Sequence, residues 1–174
     1  KGVQPFLRGG CHPNTLCMEI DRKIVEGCLK GRASAQRRLY ESSSGLLLGL
    51  CMRYTSSREE AEDVLQEGFV KIFRHIGEFK GDGSIMAWMR RIMINTAITH
   101  YHRMRKHRFH DDLDEVQETR FEEHSWNEAE FTREELFAVI QRMPEGYRVV
   151  FSLYAMEGYK HREISEILGI DENT

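Results

Sequence analysis

Asp63-Val64-Leu65-Gln66-Glu67-Gly68-Phe69 lies in a run of apolar residues at helical spacing: Ala61, Val64, Leu65, Gly68, Phe69, Ile72, Phe73 and Ile76. Recurrence at i, i+3, i+4 and i+7 predicts a helix that buries one stripe. Ser57 is the expected N-cap, with Glu59 and Glu60 in the first turn to complement the helix dipole. The opposite side carries Asp63, Gln66, Glu67, Lys71 and Arg74. By spacing alone that face is as well suited to solvent as to the arginines and lysines of a partner helix.

Downstream, Gly77 to Gly83 reads as a loop, and Ser84 can cap a helix reaching about Lys106. Ile85, Trp88, Met89, Ile92 and Thr96 are its expected buried stripe. At 100° per residue, Arg91, Asn95, His102 and Arg105 fall within roughly 40° of a common direction on another face. Arg91, Arg103, Arg105 and Lys106 can neutralise phosphates, and flanking aromatics such as Phe79 and Trp88 can stack on unpaired bases. Spacing by itself favours Trp88 as a core residue, which would hold the loop from beneath. Lys80 to Ser84 place backbone donors beside a helix N-terminus, a natural seat for an anion or a base edge.

Upstream, residues 1–18 have no period and read as an irregular tail, with Met18 as a natural start. A short helix is expected from Glu19 to Leu29 and a long one from Ser34 to Tyr54, with a weak patch at Ser42–Gly45. Beyond Lys106, residues 107–130 read as an acidic linker. Residues 85–110 hold six Lys/Arg, four His and no acid, whereas 111–130 hold nine Asp/Glu and one Arg. The overall net charge of −3 conceals this split. Because fields act over about 8–10 Å, the split points to a polyanion-binding surface beside a segment that avoids it.

A second helical unit is expected over 131–174: Phe131 to Met143, then a helix opened by Pro144 to about Met156, then Lys160 to Leu168. Ser165, Gly169 and Ile170 have the layout of the first half of a helix-turn-helix: a small residue for close approach, a turn glycine and an apolar plug. Arg162, Asn173 and Thr174 join them as candidate residues. Asp171 is the expected N-cap of a reading helix beyond Thr174, and both ends of the chain read as cuts. The fold class is thus all-α: two small helical domains joined by a linker.

Composition closes other routes. No apolar run nears the ~20 residues that span a bilayer, so no membrane insertion is expected and the chain reads as cytoplasmic. The four cysteines (Cys11, Cys17, Cys28, Cys51) lack metal-site spacing and read as free thiols, two of them in the core. Cys11-His12 with Cys17 is an incomplete zinc set, and His100 and His102 point to different helix faces. No cofactor or metal is expected. With no phosphate loop, nucleophile motif or acid–base pair, the chain is not expected to be an enzyme.

Asp63-Val64-Leu65-Gln66-Glu67-Gly68, then Phe79-Lys80-Gly81-Asp82, Trp88-Met89-Arg90-Arg91-Ile92 and Asn95, resemble in order and separation the region 2 of an extracytoplasmic-function (ECF) group RNA polymerase sigma factor. Residues 133–174 resemble region 4, and the resemblance covers about Glu19 to Thr174. It implies that Asp63, Gln66 and Glu67 contact the β′ clamp helices of core RNA polymerase. It likewise implies Phe79, Lys80, Asp82, Ser84, Trp88, Arg91, Asn95, Arg103 and Arg105 as −10 DNA candidates, and a region 4 that meets the −35 element and the β flap. The acidic linker is similar to the connector that threads near the active-site channel. Many relatives carry Phe where this chain has Ile85. Expected partners are core polymerase, promoter DNA and an anti-sigma factor. The alternative is a stand-alone helix-turn-helix transcriptional regulator not associated with core polymerase.

Overall fold

The computed structural model describes residues 20–81, 83–111 and 132–171, and among them every regular element is helical. Seven α-helices follow in chain order: α1 (Arg22–Leu29), α2 (Ala33–Cys51), α3 (Arg58–His75), α4 (Ile85–Asp111), α5 (Arg133–Arg142), α6 (Glu145–Phe151) and α7 (His161–Leu168). A 3-10 turn, Ile76–Glu78, closes α3, and a π-helical turn, Ser152–Met156, continues α6.

Local chemistry accounts for the boundaries. Asp21 caps α1 by accepting from the Lys23 N–H, so this helix starts three residues later than expected. Ser57 caps α3 as expected, its hydroxyl accepting from the Glu60 N–H at 3.1 Å. In α2 the serine patch remains helical, because Ser42 and Ser43 donate back to the Leu39 carbonyl at 3.0 and 2.6 Å. Thr132 and Glu135 form a reciprocal capping box at the head of α5. Pro144 stands at the N-cap of α6 and not within its first turn. Gly169, at φ 62°, ends α7 in the left-handed region that glycine adopts without strain.

Helix α4 runs to Asp111, so the first five residues of the expected linker are helical. Its buried face also differs from the expected stripe. Ile85, Met86, Met89, Met93, Ile94, Thr96, Ala97, Ile98, His100 and Tyr101 are buried, whereas Trp88 and Ile92 are only half-buried. The reason is that α4 is covered on two sides. Met93, Thr96 and His100 face α3, where Met93 fills the space beside Gly68. Arg90, Tyr101 and His102 face the helices after the linker.

The two helical units consequently share one core. Buried apolar side chains run without interruption from Ile24 in α1 through Leu39, Val64, Ile72 and Met89 to Val149, Leu153, Ile164 and Leu168. Polar contacts cross the same boundary: Arg148 donates to the Thr55 carbonyl at 2.7 Å, and Gln141 donates to the Met52 carbonyl. Cys28 and Cys51 are buried free thiols in this core, and burial raises the Cys51 pKa to about 12.

Candidate nucleic-acid and polymerase interface

Two surfaces emerge, one on α3 and one on α4. Asp63 and Gln66 are exposed, and Gln66 borders a shallow groove of about 290 Å³ between α2 and α3, lined also by Tyr40, Leu48, Arg58 and Glu62. Val70, on the same flank of α3, is an exposed apolar side chain. The pattern of exposed carboxylate, amide and apolar groups suits a partner helix laid along α3.

Glu67 is different. Its carboxylate takes the Lys71 ammonium at 2.7 Å and the Arg103 guanidinium at 3.9 Å. The hydrogen bond from Lys71 holds its pKa below the ordinary carboxylate value. Lys71 also donates to Thr96 Oγ1 at 3.2 Å, and Arg103 donates to His100 Nδ1 at 3.0 Å. Glu67 is therefore the centre of a brace between α3 and α4, and Arg103 points into that brace. Lys71 was legible in the sequence only as one more charge on the polar side; its link to Thr96 spans 25 residues.

On α4 the stripe left open by both packed faces contains Ala87, Arg91, Asn95, Thr99 and Arg103, with half-buried Trp88 beside it. Phe79, half-buried, packs on Trp88 with ring centroids 5.9 Å apart and planes tilted by 51°. Trp88 thus does both things the spacing allowed: it supports the loop from beneath and keeps part of its ring near the surface. Gly81 and Gly83, on the loop between these two aromatics, carry φ of 79° and 96°, the left-handed region that glycine adopts without strain. Lys80 is exposed and Ser84 half-buried, its carbonyl accepting from the Trp88 N–H at 3.2 Å. Asp82 lies outside the described residues.

Ile85 is 7% exposed and belongs to the core, so it cannot stack on a base. Of the four residues expected to share a face, Arg91 and Asn95 are open. His102 is half-buried and donates through Nε2 to the Ile167 carbonyl at 2.9 Å, while Arg105 is half-buried.

In the C-terminal unit, Arg162 pairs with Glu166 at 3.2 Å on the exposed side of α7. Ser165 is half-buried, and its carbonyl receives the Ile170 N–H at 3.2 Å across the Gly169 turn. Ile170 packs against the core. Asn173 and Thr174 lie outside the described residues, as do Cys11 and Cys17. Among the described residues no cluster of three potential metal ligands occurs, and no helix is long and apolar enough to cross a membrane.

The comparisons with known proteins agree with this layout. Residues 39–109 match the family model Sigma-70 region 2, and residues 133–174 match Sigma-70, region 4. RNA polymerase sigma-H factor of Pseudomonas aeruginosa is 31% identical over 163 residues, covering 88% of this chain and 84% of that protein. ECF RNA polymerase sigma-E factor of Escherichia coli is 30% identical over 158 residues, covering 85% and 82%. A solved structure of CnrH in complex with the cytosolic domain of CnrY aligns with a TM-score of 0.49 at 20% identity, over 88% of this chain and 85% of that one. With the two regions in order on one chain, separated by residues 110–132, the chain belongs to the sigma-70 family of RNA polymerase sigma factors, in its ECF group.

Proposed function

We propose that this chain directs core RNA polymerase to promoters by gripping the enzyme with α3 while the α4 stripe and its loop capture the −10 element. The observation that carries this reading is the division of labour on α4. Two of its faces are consumed by packing, and the one left open presents Arg91, Asn95 and Thr99 beside the Phe79–Trp88 pair.

Each group has a role that its chemistry supports. Arg91 supplies a fixed positive charge for a backbone phosphate. Asn95 offers both a donor and an acceptor, the inventory needed to read a base edge. Phe79 and Trp88 shape a platform beside which an unstacked base gains ~1–3 kcal/mol by stacking. Trapping such bases outside the duplex stabilises the melted state without any bond being made or broken. Asp63 and Gln66 provide the polymerase contact, with Glu67 holding α3 in register with α4. The C-terminal unit would meet the −35 element through the helix-turn-helix that α7 begins. Exposed Leu136, Val139, Tyr147 and Tyr154 give that unit an apolar surface for the β flap, and for an anti-sigma factor that competes with it. The stand-alone regulator is disfavoured, because it leaves the region 2 match and the exposed α3 face without a purpose.

Co-elution with purified core polymerase tests the reading. The wild-type chain is expected to bind near stoichiometrically, and Asp63→Ala with Gln66→Ala to weaken binding about tenfold or more while leaving the circular dichroism unchanged. Failure of the folded wild-type chain to bind would defeat the proposal. Both residues are exposed, so their loss leaves the Glu67 brace intact.

A further inference from the structure

Among the described residues, a buried carboxylate met by two guanidinium groups joins the two units. Glu157 follows the π-helical turn of α6 and precedes Gly158, whose φ of 75° reverses the chain. Its carboxylate is met from the other unit by two guanidinium groups: Arg53, in the turn after α2, at 3.1 Å, and Arg90, on α4, at 2.9 Å to each oxygen. The Glu157 and Arg53 side chains are 7% and 9% exposed, and that of Arg90 is 26% exposed. Arg53 also donates to Met156 Sδ.

Further polar contacts also join the units: Arg148 to the Thr55 carbonyl, Gln141 to the Met52 carbonyl, Ser56 to Glu145 Oε1 at 3.3 Å, and His102 to the Ile167 carbonyl. Removing one partner of a buried ion pair strands the other charge, so such a contact either stays whole or is exchanged for an equivalent one.

The promoter dictates which. Elements named for positions −10 and −35 are roughly 25 base pairs apart, or roughly 85 Å at 3.4 Å per base pair. Units in hydrogen-bonded contact cannot reach both. The docked arrangement must therefore open, and opening uncovers Arg53 together with Arg90, which precedes Arg91 on α4 at the flank of the DNA-reading stripe. A carboxylate held by two guanidiniums has the charge and geometry of a backbone phosphate oxygen pair.

We propose that Glu157 is an internal phosphate mimic: it closes the free chain by filling a two-arginine site, Arg53 and Arg90, which takes a promoter phosphate once the C-terminal unit swings away. This rests on the sigma-factor reading for its DNA half, whereas the closed form can be tested without polymerase. Small-angle X-ray scattering of the free chain is expected to show a compact wild type and a larger radius of gyration for Glu157→Gln. In complex with core polymerase, Glu157→Gln should bind a −10 promoter probe several-fold more tightly with an unchanged salt slope. Arg90→Gln should also open the free chain, yet bind the probe more weakly, with the slope of log K against log salt smaller by about one.

A disulfide between Ser56→Cys and Glu145→Cys, in a Cys11→Ser/Cys17→Ser background, keeps the test sharp should Glu157→Gln fold poorly. The oxidised chain should lose at least tenfold in probe binding and regain it on reduction. An extended wild type, an unchanged radius for a folded Glu157→Gln, equal binding by oxidised and reduced chains, or an unaltered salt slope for Arg90→Gln would each overturn the proposal. Failure of the wild-type chain to bind core polymerase would instead strike the sigma-factor reading, leaving the scattering result to judge the closed form.

Discussion

Gly68 on α3 and Met93 on α4 are complementary: a Cβ at position 68 would overlap the Met93 sulfur and lie 2.6 Å from its methyl carbon. Met93 is fully buried, so its flexible end has little room to retreat. Gly68→Val is expected to destabilise the chain by about 1–3 kcal/mol through overpacking. Gly68→Ala should cost less, because Ala recovers about 1 kcal/mol of helix propensity over Gly. Met93→Ala should partly rescue Gly68→Val, and urea unfolding of the four-variant cycle measures the coupling.

Arg91 and Asn95 should fail differently. Arg91→Ala is expected to weaken probe binding about equally for all −10 sequences and to lower the salt slope by about one. Asn95→Ala should cost ~1–3 kcal/mol on the preferred sequence and little on others. Fluorescence anisotropy across a panel of single-base variants, at several salt concentrations, separates the two.

Burial protects the core thiols. With its pKa pushed from 9.0 to about 12, Cys51 holds its proton throughout the neutral range. In a Cys11→Ser/Cys17→Ser chain, maleimide labelling at pH 8 should await unfolding, and urea should accelerate it by orders of magnitude. The sign of the linkage follows from a folded pKa raised above the unfolded one. Well below pH 9 the thiol is neutral in both states, and stability falls as pH rises through 9 toward 12. Rapid labelling of Cys51 in the native chain would contradict its placement.

The start of α5 depends on one hydroxyl. Thr132 accepts from the Glu135 N–H at 3.2 Å, and Glu135 answers through the Thr132 N–H at 2.8 Å. Thr132→Ala should cost about 1 kcal/mol, and Thr132→Ser much less. Amide exchange should place the loss in the first turn of α5.

The elements that could be read from the chain were those whose cause is local. The Ser57 cap, the α3 stripe and the Gly169 turn each depend on residues within a few positions. The α4 face was misjudged for the opposite reason. Helical period says which residues share a face, and cannot say that α4 is packed on two of them, so Trp88 was placed in a stripe that Met93 and Ile94 occupy. Glu67 and Lys71 stand at i, i+4, but what ties them to α4 and what builds the Glu157 triad had no local signal: those links span 25 to 104 residues. Glu67 therefore read as a contact for another molecule, though its carboxylate is already engaged at home.

The enclosure of α4 also limits how such a chain can change its taste in promoters. A substitution at Arg90, Met93, Ile94, Thr96 or Tyr101 must answer to a neighbouring helix before it can answer to DNA. Only the cadence of Arg91, Asn95 and Thr99, with the loop before it, is at liberty to vary. New preferences would have to be composed on those few sites, one turn of helix apart.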